Sequence, residues 1–137
     1  MTNSTISSRA PGPVGHYHHA KRVGSLLFLS GVGPRKRGTK QIPGVKFCEK
    51  GNVVDYDIEK QCVSVFENIK LILEEAGSSW ENIIDVTVFL TNMKDDFDVY
   101  NSVYAKYFSD PFPTRTTVEI NCLPTPIAIE LKVIAAI

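Results

Sequence analysis

Two charged residues lie in predicted strands near the C-terminal end of the chain, and the first is Arg115. It lies in Thr114-Arg115-Thr116-Thr117-Val118-Glu119, where a strand would place Arg115, Thr117 and Glu119 on one face. The planar guanidinium binds a carboxylate through two parallel charge-assisted hydrogen bonds. A structural ion pair with Glu119 or Glu130 explains the pattern equally well, so both interpretations stay open.

Glu130 is the second such residue, within Ile127-Ala128-Ile129-Glu130-Leu131-Lys132-Val133. Burial in an apolar strand disfavours the carboxylate form, raises the pKa and suits the group to general acid–base chemistry. The alternative is a glutamate that only binds Arg115.

The segment His16-Tyr17-His18-His19 carries all three histidines of the chain. On a strand, His16 and His18 share one face while His19 points to the other, and no further ligand lies nearby in sequence. We therefore predict no metal site and place these histidines at the surface or at an interface. Tyr17 is expected to pack, unless its hydroxyl points into a cleft.

The predicted elements alternate between strands and two amphipathic helices. Capping, helical periodicity and a terminal glycine define the first helix, and β-branched runs define the strands. The expected strands are 16–21, 25–30, 85–91, 114–120 and 127–137, and the expected helices are 57–77 and 93–108, with 31–50 as loop. This order indicates an α+β fold with both helices on one face of the sheet.

The opposite face of that sheet is also expected to be apolar, and this chain has no further helices or strands to pack against it. The segments 86–89 and 127–129 carry apolar or small residues on both faces. We therefore expect a second copy of the chain to pack there.

Composition favours a single globular domain in the cytoplasm. The chain has 137 residues, with 15 basic and 15 acidic side chains, which argues against a broad nucleic-acid or anionic-membrane surface. No apolar run approaches the roughly 20 residues of a membrane span. Three cysteines without C-x-x-C spacing predict reduced thiols. We expect a flexible tail over residues 1–13 and one domain over 14–137.

Several short motifs, in order from about Gly15 to Ala135, resemble the reactive-intermediate deaminases, the Rid or YjgF family. The matching pieces are Gly15-His-Tyr17, Leu27-Phe-Leu-Ser-Gly31, Val86-Thr-Val-Phe-Leu-Thr-Asn-Met93, Tyr100-Asn-Ser-Val-Tyr104, Pro113-Thr-Arg-Thr-Thr-Val118, Leu123-Pro124 and Ile129-Glu130. The resemblance implies a chorismate-mutase-like fold, a homotrimer or a hexamer built from trimers, and active sites at subunit interfaces. It also implies cofactor-free hydrolysis of enamines and imines of 2-oxo acids.

Within that family the chain is most similar to 2-aminomuconate deaminases, through segments 30–39, 42–45, 92–97 and 113–118. The implied reaction converts 2-aminomuconate to 4-oxalocrotonate and ammonia. A broad deaminase of intermediates such as 2-aminoacrylate, and a non-enzymatic ligand-binding or nucleic-acid-related trimer, remain alternatives.

The resemblance also assigns roles to residues. Arg115 would hold the substrate carboxylate and Glu130 would position or deprotonate water. The pocket would be lined by Tyr17, Ser30, Gly31, Asn101 and Thr117. Two positions depart from many relatives: Thr117 replaces a cysteine and Lys132 replaces an acid.

The basic loop Arg35-Lys36-Arg37 lacks the spacing of a phosphate-binding P-loop. Such loops are usually solvated. Because 2-aminomuconate has two carboxylates and Arg115 can hold only one, Arg35 and Arg37 are candidates for contacting the second.

Overall fold

The computed structural model describes residues 2–137, with only the backbone of residues 2 and 3. Its strands are β1 (Thr2–Thr5), β2 (Ala20–Val23), β3 (Leu26–Leu29), β4 (Val45–Phe47), β5 (Val53–Tyr56), β6 (Ile83–Leu90), β7 (Thr114–Glu119) and β8 (Ile129–Ala136). Its α-helices are α1 (Ile58–Glu75) and α2 (Met93–Tyr107), and a 3-10 turn spans Trp80–Asn82.

Six strands form one mixed sheet in the order β1-β2-β3-β8-β6-β7. Neighbours are antiparallel except β6 and β7, which are connected through α2, since parallel neighbours need a crossover. Strands β4 and β5 form a separate hairpin inside the segment 31–50 and just beyond it, where loop alone was expected.

Local capping sets where both helices begin. The side chain of Asp57 accepts from the Lys60 N–H at the start of α1, and that of Asn92 accepts from the Asp95 N–H at the start of α2. Glu119 of β7 adds a third contact by accepting from the Met93 N–H at 2.8 Å. Each acceptor satisfies an amide without an intrahelical partner, and the two predicted helices are confirmed.

Both helices cover the same face of the sheet, as predicted. In β8, the buried residues Ile129, Leu131 and Val133 alternate with the less buried Glu130 and Lys132. The buried set joins α1 and α2 in one hydrophobic core. The other face leaves Leu26 and Phe28 of β3 more than one third exposed, so the sheet has one covered and one open face.

The N-terminal segment packs against the rest of the chain, whereas the sequence predicted a flexible tail over residues 1–13. Residues 2–5 pair with β2 as an edge strand; Met1 lies outside the described residues. The segment 7–14, here called the strap, contains the buried Ser7 and Ala10. The first predicted strand is also displaced, because pairing with β3 begins at Ala20 rather than at His16.

Two side chains hold the strap. The His19 ring accepts from the Ser7 N–H through Nδ1 at 2.8 Å and donates from Nε2 to the Pro11 carbonyl at 2.7 Å. His19 is buried within the chain, which corrects the surface or interface placement expected for it. Glu75 accepts from the Ser8 and Arg9 N–H groups at 2.7 and 3.1 Å.

These donors dominate the titration of Glu75. Partial burial alone would raise its pKa, but the Ser8 N–H, the Arg9 guanidinium and the Ser7 and Ser8 hydroxyls together lower the pKa to about 2. A depressed carboxyl pKa adds stability that is present above the unfolded value and is lost as the pH falls through the folded value. The strap is therefore held best above about pH 4.5.

We predict that Glu75→Gln lowers the Tm at pH 7 by about 3–6 °C, as the loss of about one charge-assisted bond would. The difference from the unchanged protein should shrink as the pH falls from 4.5 towards 2. Calorimetry across this range measures it. Glu74→Gln is the matched control, because Glu74 makes a single 3.3 Å contact with Arg9 and its side chain is 43% exposed, against 17% for Glu75. Equal effects of the two substitutions would contradict a specific role of Glu75 in holding the strap.

Candidate functional site

A cavity of about 440 Å³ opens between the strap, the loop after β3 and strand β8. We call it the strap cavity. Five residues expected at the site line it: Tyr17, Ser30, Gly31, Arg35 and Glu130. The remaining polar lining includes His19, Thr125 and Lys132.

The Glu130 carboxyl group lies directly against the backbone of Gly31. A Cβ atom at position 31 would fall 2.7 Å from Oε2 of Glu130, so a side chain there would displace the carboxyl group. The neighbouring Val32 and Leu131 exchange two backbone hydrogen bonds of 2.8 and 3.0 Å, which fix this approach. Burial raises the pKa of Glu130. The position is therefore suited to a group that exchanges a proton.

Two hydroxyl groups of the cavity retain hydrogen-bonding capacity. The Tyr17 hydroxyl accepts from the Val14 N–H at 3.2 Å, which leaves its own proton available to a ligand. The Ser30 hydroxyl donates to the His18 carbonyl at 2.7 Å, which leaves its lone pairs as acceptors. The site thus offers one donor and one acceptor near Glu130.

The other predicted residues form a second cluster on β7 and α2. Asn101 Oδ1 accepts from Nη1 of Arg115 at 2.9 Å, and the guanidinium carbon lies 4.6 Å from the centre of the Tyr104 ring. The Thr117 and Tyr100 hydroxyls are 3.3 Å apart. This cluster orients the guanidinium through an amide and an aromatic face.

Tyr104 stays neutral beneath that cation. Burial raises its pKa to about 12, against the opposing pull of Arg115. The ring stacks on Phe108 with centroids 4.2 Å apart and meets Phe66 edge-on. The aromatic core therefore fixes the surface on which Arg115 lies.

No carboxylate within the described residues pairs with Arg115. The ion pairs found there involve Arg9 alone, and Glu119 accepts from the Met93 N–H instead. The structural ion-pair interpretation is therefore wrong for the isolated chain. The remaining guanidinium donors are available to an anion.

Strand register places Arg115 and Glu130 on opposite faces of the sheet. Arg115 pairs with Val86, which is fully buried on the helix face. Glu130 pairs with Phe89, on the alternate set of β6 that is only partly buried. Because neighbouring residues across a sheet point to the same side, one chain cannot close both groups around a small molecule.

The two arginines of the basic loop lie in different environments. Arg35 lines the strap cavity, whereas the exposed Arg37 does not. No group of three potential metal ligands occurs in residues 2–137. Within that range, no helix is long and apolar enough to cross a membrane.

Sequence reasoning missed the residues that position the site residues through direct contacts. Tyr100 and Tyr104 received no role at the site from the sequence, and their contact with Arg115 depends on the β6–α2–β7 crossover. Buried Asn68 donates to the Gly33 and Arg35 carbonyls at 3.1 and 3.2 Å. An asparagine within the apolar stripe of α1 was an available signal for such an anchor.

Comparisons with known proteins identify the family of the chain. The family model described as Endoribonuclease L-PSP matches residues 7–137. A RutC family protein of Pyrococcus abyssi is 40% identical over 130 residues, which cover 95% of this chain and 93% of that protein. The crystal structure of RidA from an Antarctic Psychrobacter species superposes with a TM-score of 0.84 at 31% identity, covering 98% of this chain and 99% of RidA. Escherichia coli TdcF with bound serine gives 0.81 at 34% identity, covering 97% and 98%. The chain belongs to the Endoribonuclease L-PSP family, the Rid/YjgF family that its sequence motifs resemble.

Proposed function

We propose that this protein is a hydrolytic deaminase of enamines and imines of 2-oxo acids, active as a homotrimer with its sites between subunits. The observation that carries the proposal is a guanidinium without an acid partner on one face and a desolvated carboxyl group on the other. Together they match the two needs of the reaction, which are a carboxylate anchor and a proton acceptor. Membership of the same family as RidA supports the reaction class.

The chemistry follows from these two groups. Arg115 binds the substrate carboxylate beside the C–N carbon, and protonation of the enamine carbon gives an iminium. Glu130 takes a proton from water as the new C–O bond forms and gives that proton to nitrogen. As the C–N bond breaks, the hydroxyl proton leaves to solvent, which balances the proton taken up at carbon. The products are a 2-oxo acid and ammonia. Positioning together with one acid–base group contributes about 10²–10⁴-fold or more to such a step.

The substrate we propose is 2-aminomuconate, a dicarboxylic enamine, converted to 4-oxalocrotonate. Two cationic residues in the strap cavity, Arg35 and Lys132, favour an anionic ligand. The alternatives are a broad deaminase of the 2-aminoacrylate type and a trimer that only binds ligands. The serine bound in TdcF shows that a related structure holds an amino acid, which both alternatives also accommodate.

The open face of the sheet supports the oligomer. Leu26 and Phe28 expose apolar surface there, while β6 contributes Phe89 and β8 contributes Ile134 to the same face. Burial of such a face by a second copy is favourable at about 25 cal/mol per Å².

The three free cysteines support a location in the reducing cytoplasm.

Ammonia release from 2-aminomuconate and 2-aminoacrylate, measured in parallel, tests the activity. Arg115→Lys keeps the charge but loses the planar fork, so kcat/KM should fall about 10- to 100-fold. Arg22→Lys is the matched control, because Arg22 is an exposed strand arginine whose side chain, among the described residues, hydrogen-bonds only the Gly24 carbonyl. No hydrolysis of either substrate would leave the ligand-binding alternative, and full activity of Arg115→Lys would remove the carboxylate anchor.

A second prediction concerns the ionisation of Glu130. Since burial raises its pKa and the carboxylate is the active form, kcat/KM should fall on acidification at a pH above the ordinary glutamate value of about 4.3. Glu130→Gln should remove this limb and lower kcat about 100-fold or more. Gly31→Ala, which displaces the carboxyl group, should lower kcat more than it raises KM. An unchanged pH profile in Glu130→Gln would exclude Glu130 as the base.

Mixing two strongly impaired variants tests whether one site uses two subunits. Glu130→Gln subunits keep Arg115, and Arg115→Lys subunits keep Glu130. After denaturation and refolding together at equal concentration, about a quarter of the intersubunit sites should contain both natural residues, if mixing is random. Activity should reappear, and light scattering should show three subunits or a multiple of three. A mixture as inactive as its components would show that each site lies within one chain.

A further inference from the structure

Arg35 occupies the cavity on a backbone that is fixed from the core. The amide nitrogen of Asn68 donates to the Gly33 and Arg35 carbonyls, on either side of Pro34. Asn68 is buried in α1, so this part of the loop is anchored to the helix. The turn that follows, from Lys36 to Thr39, is exposed and is closed by its own hydrogen bonds. The loop therefore presents Arg35 to the cavity and Arg37 to solvent.

Cationic side chains outnumber carboxylates around the strap cavity. Of its described lining residues, Arg35 and Lys132 are cationic and Glu130 alone is acidic. Lys132 already donates to the Leu29 carbonyl at 2.7 Å. Arg35 donates through one nitrogen to the Gly12 carbonyl of the strap, and its guanidinium has further N–H donors. Arg35 is thus the cation of the cavity with the most donors left for a ligand.

The position proposed for the first carboxylate and the Arg35 guanidinium have different neighbours in the cavity. In the proposed reaction, Arg115 of another subunit holds the carboxylate next to the C–N carbon, near Glu130. Glu130 lies against Gly31, whereas the Arg35 guanidinium lies against the strap at Gly12. A ligand that binds Arg115 through its first carboxylate and also binds Arg35 needs a second anionic group, away from its reacting carbon.

We propose that Arg35 is a specificity-determining residue that selects acids with a second, distal carboxylate. This inference rests on the proposed function, and it deepens that function by assigning the choice between dicarboxylic and monocarboxylic substrates to one side chain. A charge-assisted hydrogen bond in a partly desolvated cavity should give about 10- to 100-fold selectivity.

Binding of product-like acids tests the selectivity without catalysis. 2-Oxoglutarate and 2-oxopentanoate share the five-carbon 2-oxo acid skeleton and differ in the distal carboxylate. Calorimetric titration of the full-length protein should give a Kd for 2-oxoglutarate at least about tenfold lower. Arg35→Gln should abolish this difference and leave the Kd of 2-oxopentanoate unchanged. Equal binding of both acids by the unchanged protein would overturn the proposal.

Arg37→Gln is the matched control, because it removes the same charge from the same loop at a position outside the cavity. It should leave the Kd ratio intact. Similar losses in the two variants would indicate general electrostatic attraction and would contradict a specific contact.

Because Arg35 also contacts the Gly12 carbonyl, the alternative is a purely structural role in which Arg35 only holds the strap in place. In that case Arg35→Gln would lower the Tm and weaken both acids alike, and the proposal would fail. The Kd ratio separates the two roles, since loosening the strap does not distinguish one acid from the other.

The same variants should then be assayed with 2-aminomuconate and 2-aminoacrylate. A loss of kcat/KM confined to 2-aminomuconate in Arg35→Gln supports the inference. If neither substrate is hydrolysed while the selectivity for 2-oxoglutarate persists and depends on Arg35, the proposed deaminase fails and the distal-carboxylate site stands. If hydrolysis proceeds without any such selectivity, the deaminase stands and the inference fails.

Discussion

The register of β7, β6 and β8 is the constraint on which the site depends. A strand alternates its side chains, so a register that buries Val86 and Leu131 beneath the helices also decides the faces of Arg115 and Glu130. A shift of one residue would expose the core, which makes this separation as stable as the core itself. The fold therefore leaves both groups incomplete in one chain, and a second copy supplies the missing half in the proposed trimer.

Much of the fold was predictable because local signals and the core agree. Asp57 and Asn92 cap the helices where the periodicity begins, and β-branched runs identified β7 and β8. The strap was not predictable in this way. Its order depends on Glu75, more than 60 residues away in sequence, and on both ring nitrogens of His19. Local polarity resembles that of a tail, and only tertiary contacts distinguish the two.

The candidate site was predictable in its residues but not in its division. Charged side chains in apolar strands identified Arg115 and Glu130, and the family resemblance added Tyr17 and Gly31. The pairing of β6 with both neighbours, which no short motif encodes, separates these residues into two clusters. Spacing alone also could not distinguish Arg35 from Arg37, because the distinction comes from Asn68 on α1, which anchors the loop at Arg35.

Each charged group of the site is supported by a partner that does not neutralise it. Arg115 lies on a neutral ring and binds an amide oxygen, so it remains attractive to an anion. Glu130 lies beside a glycine backbone rather than a cation, so its proton affinity stays high. Pairing the two directly would stabilise each charge, but it would also lower the pKa of the acid and occupy the anion site. Placing them on opposite faces prevents that pairing within a chain, and in the proposed interface a substrate between them can prevent it as well.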